Sequence, residues 1–159
     1  MKTKKEISIE WVNHASFILN YHDIKLISDP WIEGRVFNES WALLSETKFK
    51  YSDFKYITHI WFSHEHPDHF YPPNLKKIPE KFRNEIVVIF QDTIDEKVMK
   101  FCKNLNFKEI ISLKEWNSYN INDDLKITIG KVKNDTDSWA YFDCKDFSLL
   151  NLNDCILSK

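Results

Sequence analysis

Glycine is nearly missing from this sequence: two residues in 159, alongside five prolines. A glycine-rich phosphate loop and a dinucleotide-binding fingerprint both need several glycines at fixed positions, so neither is present. Cysteine is scarce as well. Cys102, Cys144 and Cys155 are odd in number and widely spaced, with no C-x-x-C pair. That excludes a disulfide framework and a structural zinc ribbon, and it predicts reduced thiols in a cytosolic protein. No apolar run approaches the roughly 18 residues of a membrane span, and the basic residues 1–5 lead into a polar-interrupted segment rather than an apolar signal region. Neither sign of charge dominates: 24 acidic residues face 22 basic ones, a formal −2, without a block of either. Nucleic-acid and membrane partners are therefore not expected, and a small-molecule partner is.

What is abundant is apolar and aromatic surface, 43% and 15% of the residues. That is enough to bury a core, and it predicts a single domain over residues 1–159. Ile7, Ile9, Trp11, Ala15, Phe17 and Leu19 alternate with polar positions, the period of half-buried strands, and Ile24–Ile27 continues them after a turn at residues 21–23. Asp29-Pro30 ends this meander, because proline cannot donate to a ladder. Residues 31–51 show no clean period and read as a long loop with a short helix. Ile57–Phe62 reads as a short buried strand, Pro72–Ile78 as a helix entered through proline, and Ile86–Phe90 as a strand covered on both faces. Asp92 is placed to cap a helix whose stripe is Ile94, Val98, Phe101, Cys102 and Leu105. Four strands follow, at residues 110–113, 125–132, 140–142 and 147–152. The expected fold class is α/β (α+β), a mixed sheet with flanking helices.

The chemistry concentrates in His64-Glu65-His66-Pro67-Asp68-His69, directly after the 57–62 strand. With six histidines in 159 residues, chance produces the pattern in roughly one shuffled chain per thousand. On a helix these side chains would scatter around the axis, whereas an irregular turn held by Pro67 can aim all four into one pocket. Imidazole and carboxylate suit zinc, iron or manganese.

H-x-H-x-D-H after a hydrophobic strand resembles the signature of the metallo-β-lactamase superfamily. Asn13-His14-Ala15-Ser16-Phe17 with Ser28-Asp29-Pro30 is similar to the opening of its N-acylphosphatidylethanolamine phospholipase D-like and L-ascorbate-6-phosphate lactonase-like branch. Ser63–Phe70 with Asp137-Ser138-Trp139 and Asn151–Cys155 more closely resembles the metallo-β-lactamase-like part of the CMP-N-acetylneuraminate hydroxylase group. The resemblance implies an αββα sandwich of which this chain spans about the first half. It implies His64 and His66 as ligands of a first metal, Asp68 and His69 of a second, and Asp154 bridging them, with Asn153 standing before it where the superfamily has glycine. Asp29 and His14 would support the ligands from behind, and Asp68 would also orient or deprotonate the nucleophile. No histidine follows His69, so the superfamily's third and last histidines have no counterpart. Asp135 or Asp137 would then supply an oxygen to the first site, shifting preference from zinc toward iron or manganese.

The expected activity is hydrolysis of a small ester, lactone or phosphodiester through a metal-bound hydroxide. Two alternatives are a component of an oxygenase system, whose electron-transfer part lies on another chain, and a truncated binding module. A second copy or another chain is expected to complete the fold, since large apolar faces rarely stay open to water.

Overall fold

The computed structural model describes residues 7–132 and 136–156. Strands β1 (Ile7–Asn13), β2 (Ser16–Tyr21) and β3 (Ile24–Ser28) form an antiparallel meander joined by tight turns. Between residues 28 and 59 the chain makes a small hairpin, β4 (Arg35–Val36) with β5 (Trp41–Ala42), and a 3-10 turn at Tyr51–Tyr56. Residues 31–51, expected as a loop with a short helix, thus hold the small hairpin, and the 3-10 turn begins only at their last residue.

Three further strands extend the meander in parallel: β6 (His59–Trp61), β7 (Val87–Gln91) and β8 (Glu109–Leu113), giving the order β1-β2-β3-β6-β7-β8. Parallel neighbours need crossovers. Those after β6 and β7 carry α1 (Pro72–Lys77) with α2 (Glu80–Arg83), and α3 (Lys97–Asn104). A second, antiparallel sheet follows: β9 (Ser118–Asn120), β10 (Leu125–Lys131), β11 (Ser138–Cys144) and β12 (Ser148–Asn151), ordered β12-β11-β10-β9.

The inner strands of the first sheet, β2, β3, β6 and β7, are buried on both faces, which explains their apolar runs, while β1 at the edge is largely exposed. Ile18, Ile27, Ile60, Val88 and Phe90 pack with Leu75, Ile78, Val98 and Cys102 of the helices. Their neighbours Leu19, Leu26, Trp61, Val87 and Ile89 point the other way, onto Leu125, Ile127, Ile129, Ala140 and Phe142 of the second sheet. The result is a mixed α/β layering of helices, sheet and sheet. In the second sheet β11 alternates strictly, with buried Ala140 and Phe142 flanking exposed Tyr141, as a strand with one open face should.

α3 begins later than its apolar stripe suggests. Asp92 is held in the sheet: its N–H donates to the Leu113 carbonyl, its carboxylate accepts from Ser112 Oγ, and its carbonyl accepts from Lys131. The helix starts at Lys97, with Glu96 in a left-handed conformation at its N-terminus, and Ile94 is fully exposed.

Candidate metal centre

The cluster grows from the end of β6. After Trp61 the chain leaves the sheet, and Asp29, at the matching end of β3, takes hold of it. Asp29 Oδ1 accepts from the Ser63 amide (2.8 Å), and Oδ2 accepts from Ser63 Oγ (2.8 Å), His69 Nδ1 (3.1 Å) and Asn153 Nδ2. The amides of His69 and Phe70 both donate to the His66 carbonyl, closing a turn around Pro67. This turn folds His64, Asp68 and His69 inward, all buried, and leaves His66 exposed.

Two further aspartates arrive from the second sheet. Asp137 immediately precedes β11 and is buried, and the next residue, Ser138, donates through Oγ to the Ser63 carbonyl. Gln91 Nε2 donates to that carbonyl as well (3.1 Å) and to the Thr136 carbonyl, fastening the segment before β11 to the loop. Asp154 follows β12, and its side chain is 51% exposed. Asn153 before it has φ 51°, the left-handed conformation that asparagine tolerates better than most non-glycine residues, so it can replace glycine here.

The ligand atoms fall into two sets. His64 Nε2 lies 2.9 Å from His66 Nδ1 and 3.4 Å from Asp137 Oδ1. His69 Nε2 lies 3.4 Å from Asp68 Oδ2, which is 3.0 Å from His14 Nε2. Asp154 Oδ2 sits between the sets, 3.3 Å from His69 Nε2 and 3.9 Å from His64 Nε2. Each set, and the trio His64, His69 and Asp154, has its donor atoms gathered within 4.8 Å. Of the residues singled out from sequence, the structure thus brings together His14, Asp29, His64, His66, Asp68, His69, Asp137 and Asp154. Asp135 lies outside the described residues. The supporting roles of Ser63, Gln91 and Ser138 have no sequence signature, because they act through carbonyl and amide contacts that only the fold creates.

A cation fits this arrangement on two grounds. First, His69 Nε2 and Asp137 Oδ1 are buried without a hydrogen-bond partner, and buried polar atoms seldom go unsatisfied. Second, the carboxylates of Asp29, Asp68 and Asp137 are all buried around a few imidazoles, and uncompensated buried charge is costly. The titration pattern follows the same logic. Burial alone would depress His69, but Asp29 and Asp68 outweigh it and hold the imidazole up at about 10. Burial also opposes ionisation of Asp68, yet the neighbouring His69 and His14 imidazoles keep it well below the usual carboxylate range. His64 is pushed down, chiefly by burial and then by the charge of His69.

The family model described as "Beta-lactamase superfamily domain" matches residues 8–143. The cytidine monophosphate-N-acetylneuraminic acid hydroxylase of Cricetulus griseus is 26% identical over 163 residues, covering 94% of this chain and 27% of that protein. The chain thus spans about a quarter of the length of the curated relatives it matches. Among solved structures, a possible metal-dependent hydrolase from Veillonella parvula superposes with a TM-score of 0.74 at 13% identity, over 96% of this chain and 65% of its own. CmlA, a diiron beta-hydroxylase from Streptomyces venezuelae, superposes with a TM-score of 0.68 at 14% identity, over 94% and 30%. At these identities the structural matches speak for the fold.

Proposed function

We propose a function from the following premise: the chain belongs to the beta-lactamase superfamily, and its His/Asp cluster has the make-up of a metal-dependent hydrolytic centre. His64, His66 and Asp137 would hold one ion, Asp68 and His69 a second, with Asp154 between them. The ions are zinc, or iron or manganese given the carboxylate in the first set. The substrate is a small ester, lactone or phosphodiester. The observation that carries this reading is the pair of buried ligand atoms without a hydrogen-bond partner, His69 Nε2, 3.3 Å from Asp154 Oδ2, and Asp137 Oδ1, 3.4 Å from His64 Nε2.

Bound divalent cations would supply positive charge for a developing oxyanion and acidify water at neutral pH. The chain's own groups do the rest. Asp29 binds Nδ1 of His69, which fixes the tautomer and turns Nε2 into the site. Asp68, kept ionised by its neighbours, is the group placed to orient the attacking water or accept its proton. Asp154, half open to solvent, marks the side from which a substrate enters.

The test is metal analysis of the purified chain with His66→Ala as control, followed by turnover of p-nitrophenyl acetate, a γ-lactone and bis(p-nitrophenyl) phosphate before and after chelation. Two equivalents of metal and a chelator-sensitive hydrolysis support the reading, and absence of metal uptake refutes it.

One observation favours a second, oxidative reading. A carboxylate among the first-set ligands suits iron, and a hydroxylase relative and a diiron neighbour both occur among the matches. In that case the chain is the metal-bearing part of an oxygenase system whose electron-transfer part lies elsewhere. Iron uptake with substrate-dependent oxygen consumption would distinguish it. Under either reading we place residues 1–159 in one domain, in a reducing, cytosolic setting that suits its three buried cysteines. No helix among the described residues is long and apolar enough to cross a membrane. A second copy or another chain would cover the outer face of the second sheet, where Tyr141 and Leu150 on the strands and nearby Trp116 are exposed.

A further inference from the structure

We infer that His14, at the turn between β1 and β2, is the third protein ligand of the second metal position, beside Asp68 and His69; this rests on the two-metal reading above. Metal–nitrogen and metal–oxygen bonds of roughly 2.0–2.2 Å set neighbouring ligand atoms about 3.0–3.6 Å apart. The spacings around Asp68 Oδ2 are 3.0 Å to His14 Nε2 and 3.4 Å to His69 Nε2. Both imidazoles address the same carboxylate oxygen. A histidine that only steadied Asp68 from behind would bind the oxygen turned away from His69. Here the three donor atoms converge on one place instead of forming a relay.

The turn that carries His14 is built to hold it. The two-residue connection His14-Ala15 puts His14 at φ 45°, a position that asparagine, aspartate or glycine usually occupies. Its backbone is pinned on both sides: the amide donates to Asn13 Oδ1 (2.9 Å), and the carbonyl accepts from Trp11 Nε1 (3.1 Å). Asn13 is itself fixed by Nδ2 bonds to the Ser45 carbonyl and Thr47 Oγ1. The imidazole packs edge-on against Trp31, with ring centroids 5.3 Å apart. About a third of the His14 side chain stays open to solvent, yet both its backbone and its ring are held.

The experiment is titration of the metal-free chain with Co²⁺, counting equivalents bound and following visible absorption. Wild type takes up two equivalents. His14→Gln keeps a donor that can still reach Asp68, and His14→Asn keeps the left-handed turn. Each is expected to take up one equivalent tightly, with affinity for the second at least 100-fold weaker. His14→Cys, which restores a ligand atom, is expected to recover the second equivalent with a thiolate-shifted spectrum. If the Gln or Asn variant still binds two equivalents within threefold of wild-type affinity, His14 is a positioning residue and the inference fails alone. If wild type binds fewer than two, the two-metal reading fails and takes this inference with it.

Discussion

Asp29→Asn is nearly isosteric, and the structure says it should be among the most damaging substitutions in the chain. Asp29 is 1% exposed and accepts four hydrogen bonds, three of them on Oδ2. In asparagine one side-chain end becomes an NH₂ group. If that end replaces Oδ2, it confronts three former donors. The Ser63 hydroxyl can rotate to accept, but the Asn153 amide cannot, and His69 Nδ1 can accept only by giving up its proton. If the side chain flips, the NH₂ faces the Ser63 amide instead. Either way at least one buried donor is stranded, and the carboxylate that favours His69 as a cation is gone. Stranding a buried donor costs about 1–3 kcal/mol, and breaking a buried ion pair about 3–5 kcal/mol, so the expected loss is roughly 3–5 kcal/mol. Backbone strain does not confuse the comparison, since asparagine accepts the φ of 37° as well as aspartate does. Urea unfolding of the chelator-treated chain, read by tryptophan fluorescence with Trp61 buried beneath the site, measures the loss. A metal titration should show second-site affinity lower by about 10–100-fold, because the proton driven off Nδ1 settles on Nε2. A loss below about 1 kcal/mol with metal affinity intact would refute the account.

Further expectations concern pH, packing and metal. Burial, and then Lys108, lowers His59 from 6.5 to about 4. Between these values the unfolded chain carries the proton and the native one does not, so stability falls as pH drops from 6.5 to 4 and levels off below. The difference amounts to about 3 kcal/mol, and urea midpoints of His59→Gln should show a correspondingly flatter slope. At Gly130 an added Cβ would lie 1.9 Å from the Trp139 ring. Gly130→Ala is therefore expected to cost about 1–3 kcal/mol, and the cost should nearly vanish in a Trp139→Ala background, as a double-mutant cycle would show. Finally, saturating metal at about 100 times Kd should add roughly 2.7 kcal/mol, raising the thermal midpoint by about 5–10 °C; a midpoint unmoved by chelator counts against binding.

The clustering of the His64–His69 loop was legible in sequence because its members are neighbours: four candidate ligands in six residues, just after a strand. Asp137 and Asp154 stood out only through their context, since each reaches His64 across the seam between two sheets, a closeness that no local pattern encodes. His14 was visible as a candidate, but its contact with Asp68 spans 54 positions and depends on the β1–β2 turn. The α3 start was misplaced because tertiary hydrogen bonds to Asp92 override a helical stripe that begins at Ile94. Residues 31–51 lacked a period because their order comes from long-range anchors, notably Asn74 Oδ1 accepting from the Ile32 and Glu33 amides.

Among the described residues ten non-glycine positions adopt left-handed backbone angles, and three of them, His14, Asp29 and Asn153, touch the cluster. In most chains such bends go to glycine, whose missing side chain makes them cheap. Here each bend bears a functional group. Glycine at these three positions would relax the backbone while erasing the groups they carry, and at Asp29 the four hydrogen bonds lost would outweigh the relief, so the usual remedy for an unfavourable angle is closed to this protein there.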